Sequence, residues 1–82
     1  MLTKEKFDLL SKWDLQLTTA YKHNYASITR ADFNSLLDIY YDNEAEKHVS
    51  KSAFNCPKCK LKELAKIGSD YLKFKNDIKN KN

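Results

Sequence analysis

Two thiols and two imidazoles are the side chains of this sequence with the most chemistry beyond packing and charge: Cys56 and Cys59 in "NCPKCK" (residues 55–60), and His23 and His48. Two thiolates on one turn are half of a tetrahedral zinc site, which needs four ligands in all. His48 is the candidate third ligand, His23 lies a whole helix away, and neither has the spacing of a finger motif. Two CPKC pairs from two copies of the chain would also complete the set. A helix start also stabilises a thiolate, which is the chemistry of a thiol oxidoreductase. That motif is expected between a strand and a helix, and no segment here reads as a strand. In the plainest reading Cys56 shares a wheel sector with Ile67 and Phe74 and is a small buried apolar residue. Cys59 then points toward Lys66 and Lys73, off the apolar face.

Other catalytic constellations are missing. The sequence has no carboxylate pair at a defensible spacing and no Ser/His/Asp set, so no enzyme is expected, and no cofactor apart from the zinc considered above. Asp14 falls within an apolar stripe, where its expected role is to cap a backbone group or pair with a lysine at the rim.

The elements that must position these residues are helical. One Gly and one Pro in 82 residues, with 41 % hydrophobic and 32 % charged side chains, describe an all-α domain spanning 1–82. At this size apolar burial is modest, so a homo-oligomer is expected to supplement it. No apolar run reaches membrane-spanning length and the first residues lack a signal-peptide core, so the expected location is cytoplasmic, with no membrane partner.

Three helices are predicted. The first covers 4–22, with Thr3 as N-cap and Phe7, Leu9, Leu10, Trp13, Leu17, Ala20 and Tyr21 on its apolar side. "HNYAS" interrupts it, with Asn24 suited to a left-handed turn position. Thr29 caps a second helix over 30–43, with Asp32 in the acidic position of a capping box. Residues 42–54 are polar and read as a loop with at most a short helical turn. The third helix covers 57–78, with Asn55 or Cys56 as cap and Pro57 at the first helical position, where its missing N–H costs nothing. Gly68 inside it costs about 1 kcal/mol relative to Ala, which suits a close helix approach. The polar tail "NDIKNKN" is expected to fray.

The pattern C-x-x-C-x-L-x-x-L-x-x-[IL]-G-x-x-Y, here "CPKCKLKELAKIGSDYL", resembles small uncharacterised proteins of phages and mobile elements of Bacteroidetes-like bacteria. The likeness extends upstream through "LLDIYYD" and "YKHNY". It implies an origin and no activity, and no residue takes a role from it. For such an origin the fitting roles are contact functions: inhibition of host defence, accessory roles in transcription, or virion structure.

Charge and aromatic content indicate where contact would occur. Residues 1–50 carry six basic and eight acidic groups, whereas the last 32 carry nine lysines and three acids. Lys58, Lys62, Lys66 and Lys73 occupy a sector of roughly 80° on the third helix, a stripe that could follow phosphates or an acidic protein surface. Arg is absent from this helix, which argues against base-specific readout. Tyr25, Tyr40 and Tyr41 are candidate anchors of a protein interface, since adjacent Tyr40 and Tyr41 point to neighbouring sectors and one should face outward. The expected function is therefore a non-enzymatic binding protein engaging a host protein, nucleoprotein or nucleic acid. A zinc-linked assembly protein is the first alternative and a thiol oxidoreductase the second.

Overall fold

Ser11 is where the first predicted helix departs from a simple rod. Its hydroxyl donates to the Asp8 carbonyl at 2.6 Å, a back-bond that competes with the helical ladder. In the computed structural model, which describes residues 2–80, residues 4–23 accordingly form two α segments, α1 (Lys4–Leu10) and α2 (Asp14–His23), joined by a 3-10 turn at Ser11–Trp13. Trp13 leaves helical geometry (φ −110°, ψ 28°) while its ring is buried. Leu10, Trp13, Leu17 and Ala20 are buried, whereas Leu9 and Tyr21, both expected on the apolar side, are exposed.

The chain then continues as α3 (Arg30–Tyr40), α4 (Glu44–Ser52), a second 3-10 turn (Ala53–Asn55) and α5 (Pro57–Asn80). With α1 and α2 as one kinked arm, there are four helical arms rather than three, and no strand among the described residues. The addition is α4, in the stretch expected to be a loop. Asn43 accepts the Glu46 N–H at 3.0 Å, and Glu44 and Glu46 favour the positive end of the helix. That cap also ends α3 early: Tyr41 is already extended (φ −96°, ψ 139°), so the expected continuation to 43 does not occur.

The other local signals are in place. Thr3 accepts from Lys6 N–H at 3.2 Å and Thr29 from Asp32 N–H at 3.1 Å. Asn24 closes α2 in the left-handed region at φ 51°, ψ 40°. The tail expected to fray is helical to Asn80, and its last two residues lie outside the described residues.

The core gathers Leu10, Leu17, Phe33, Leu36, Leu37, Leu64, Ile67 and Tyr71, all essentially inaccessible to solvent. Its principal seam is between α2 and α5. A Cβ built on Gly68 would lie 2.5 Å from the Leu17 carbonyl oxygen and 3.3 Å from the Tyr21 Cβ, so only glycine allows these two backbones to approach so closely. Phe7 extends the seam by stacking on Tyr71 at 4.9 Å and packing against Phe74 at 5.0 Å.

Candidate functional site

The opposite side of α5 is open. α4 packs on α3 and on the 3-10 turn that follows it, with little direct approach to α5, and a surface groove runs between the two. It comprises two adjoining hollows of about 540 and about 400 Å³ that share Val49, Ser50, Glu63 and Lys66. The α4 wall is mixed: Ala45 and Val49 stand one turn apart, with Glu46, Ser50 and Ser52 beside them, and Val49 is 68 % exposed. Facing them, α5 contributes Cys59, Lys62, Glu63 and Lys66. Cys56 lines the end near the helix start and Tyr41 the other.

Tyr41 closes its end through a polar cluster. Its hydroxyl donates to Glu63 and accepts from Lys66 Nζ at 3.0 Å, and the Lys66 ammonium also sits 5.2 Å from the ring centroid. Hydrogen bonding to Tyr41 raises the Lys66 pKa above its ordinary value, against the opposing effect of burial, so Lys66 is a fixed cation on the groove wall. Tyr40 donates to Asp70 and meets Tyr41 edge-on at 4.9 Å. Burial, then the Asp70 hydrogen bond, pushes the Tyr40 hydroxyl well above its usual range. Lys6 adds a strap from α1, donating to the Tyr40 carbonyl at 3.1 Å and to Asp42 at 2.9 Å.

The structure places the tyrosine pair inside this polar cluster. Tyr41 is buried, Tyr40 is half-buried, and both fasten the end of α3 to α5. The helical wheel does not apply to Tyr41, because its extended backbone lets its ring reach α5 alongside that of Tyr40. Tyr25 is exposed and lines a separate small hollow with Leu15.

Of the lysine stripe, Lys62 and Lys66 line the groove, while Lys58 and Lys73 are exposed elsewhere along α5. Lys58, Lys62 and Lys73 make no ion pair among the described residues. A further cationic group lies near the start of α5: Arg30 and Lys60 stand 4.7 and 4.6 Å from the Phe54 ring, and Arg30 also donates to Asn55 at 2.7 Å. Asp14 takes the rim role expected of it, accepting from Tyr71 at 2.5 Å and Lys75 at 3.0 Å. The Tyr71 bond, with help from Lys75, holds the Asp14 carboxyl below its usual range despite partial burial.

The cysteines differ from their plainest reading. Cys56 is half-buried and outside the core, and it caps α5: its Sγ accepts the Cys59 N–H at 3.4 Å and its carbonyl the Lys60 N–H at 2.8 Å. Cys59 is exposed, and both thiols are free. His48 is exposed on α4 and does not join them. Among the described residues no three His, Cys, Asp or Glu side chains gather at metal-binding range, so Cys56, Cys59 and His48 are not one preformed site.

Sequence reasoning passed over Ala45, Val49 and Arg30. The only signal for the first two is an i, i+4 pair continuing to Ala53, a stripe too narrow to stand out inside a polar segment. Arg30 gave no such signal, since its place beside α5 depends on Phe54 folding back onto Phe33 at 5.5 Å. No family model, curated protein or solved structure matches the chain. Among the described residues no helix is long and apolar enough to cross a membrane.

Proposed function

We propose that this protein is a small non-enzymatic binding module that seats an acidic, partly apolar segment of a host protein or nucleoprotein in the groove between α4 and α5. The observation carrying this reading is the pairing across the groove of exposed Val49 with Lys62, a cation without an ion-pair partner among the described residues. An exposed apolar side chain facing a cation suits an amphipathic segment with carboxylates along one edge. Lys66 is already positioned by Tyr41, so binding would cost it little side-chain freedom. The likeness of the α5 sequence to small phage and mobile-element proteins supports a role in a host cytoplasm, as an inhibitor of host defence or a transcription accessory.

The test uses two fluorescent probes, an amphipathic peptide with Glu on one face and Leu on the other, and a mixed-sequence DNA duplex. Peptide binding weakened about tenfold by either Lys62→Gln or Val49→Asp is the expected result, since each loses roughly 1.4 kcal/mol of contact. Duplex binding that falls steeply with salt and ignores Val49→Asp would instead assign the lysines to phosphate contact.

A further inference from the structure

Each of the first three capped helices uses an oxygen side chain: Thr3 for α1, Thr29 for α3 and Asn43 for α4. The longest helix, α5, starts instead on a sulfur, and Ser, Thr, Asn and Asp all cap better than Cys. Capping alone therefore does not account for Cys56. Packing does not account for Cys59, which is exposed one turn further on. The two thiols lie together at one end of the groove, both reachable from solvent.

We propose that Cys56 and Cys59 are a redox-active dithiol that exchanges with low-molecular-weight disulfides of the glutathione class, Cys56 attacking and Cys59 resolving. The Cys59 N–H at 3.4 Å is positioned to stabilise negative charge on the Cys56 sulfur. Hydrogen bonding from the Cys59 thiol, then from the Cys59 and Lys58 backbone N–H groups, holds the Cys56 thiol below its ordinary pKa. The same thiol contact holds Cys59 above its own. The Cys56 thiolate attacks one sulfur of the glutathione disulfide, forming a mixed disulfide and releasing one glutathione thiolate, which takes a proton from water. Cys59 then gives its proton to solvent and attacks the Cys56 sulfur, releasing the second glutathione. The chain loses two electrons and two protons, and one glutathione disulfide becomes two glutathione thiols. The step is stoichiometric and needs neither a metal nor an occupant of the groove, so it stands apart from the binding function proposed above.

The reduced full-length chain is treated with glutathione disulfide at neutral pH and followed by intact mass. The expected wild-type product has lost two hydrogens and retains no glutathione. Cys59→Ser should accumulate one glutathione adduct, and Cys56→Ser should react about tenfold more slowly. Far-UV circular dichroism checks that each variant is folded. Independently of any variant, alkylation of the folded wild type should modify Cys56 about tenfold faster than Cys59, with the rates converging in urea. Equal alkylation rates in the folded chain would overturn the assignment. So would a disulfide joining two chains, or stoichiometric zinc that protects both thiols and links two copies.

Discussion

The two sides of α5 carry different kinds of surface, although the helix itself is regular throughout. Toward α2 it presents Leu64, Ile67, Gly68 and Tyr71, all buried, against a backbone close enough to exclude a methyl group. Toward α4 it presents Cys59, Lys62, Glu63 and Lys66 along a groove that no side chain fills. On the first side packing determines the geometry, so volume changes should cost stability. On the second the geometry is held at the ends, by Tyr41 and by the 3-10 turn leading into Cys56, so the middle can change at little cost.

Gly68→Ala should break the closed side with the largest effect. Alanine gains about 1 kcal/mol of helix propensity over glycine, but its Cβ would meet a backbone carbonyl at 2.5 Å rather than the end of a flexible side chain. Relieving that clash means separating α2 from α5, and a clash with backbone puts the cost at the upper end of the range of about 1–3 kcal/mol typical of overpacking, above the propensity gained. The net expectation is destabilisation, read as a lower urea midpoint. An unchanged or raised midpoint would mean that the seam is looser than its geometry implies.

The closed side was largely legible in the sequence because its signals are local. Thr3, Thr29 and Asn24 mark helix ends through their own side-chain chemistry, and Gly68 stands out as the single glycine in a long apolar stripe. The kink at Ser11–Trp13 was not legible, since apolar spacing continues across it and only a back-bond to Asp8 reveals it. Nor was α4: a helix facing a groove needs no broad apolar face, and Ala45 and Val49 are too few to stand out among Glu44, Glu46, Lys47 and His48. The placement of Tyr41 was not legible for a related reason. Where a helix ends is set by the competing cap at Asn43, and the wheel assumes that the helix continues.

Tyr71→Phe probes the rim of the closed side with an intermediate effect. It removes the hydrogen bond to Asp14 and should cost about 1 kcal/mol, because water reaches the Asp14 carboxylate. Its pH dependence has a definite sign. The folded state raises the Tyr71 pKa, through burial and then the Asp14 bond. That contribution is present below about pH 10, the unfolded value, and is lost as pH rises through the folded one. Asp14 is depressed, so its contribution is present above about pH 4 and is lost as pH falls through its lower folded value. Comparing wild type and Tyr71→Phe across pH should therefore show the difference narrowing in strong acid. Wild type should also lose stability in strong alkali, through a tyrosine that the variant lacks. A constant difference from acid to alkali would mean that the hydroxyl and carboxylate are not coupled.

The smallest stability effect belongs to the open side, and there a null result is the informative one. Val49 is 68 % exposed, so Val49→Asp removes little buried surface. Its stability cost should stay within about 0.5 kcal/mol, the ordinary range for a surface substitution without special contacts. Aspartate in the last turn of α4 opposes the helix dipole by a few tenths of a kcal/mol, which sets the expected sign as slightly destabilising. A cost well above 1 kcal/mol would mean that Val49 is buried in solution and that the groove closes over it. A small cost combined with a roughly tenfold loss of peptide binding would separate folding from recognition on the two sides of one helix. The side packed around Gly68 would then hold α5 in place, and the side facing α4 would be free to bind.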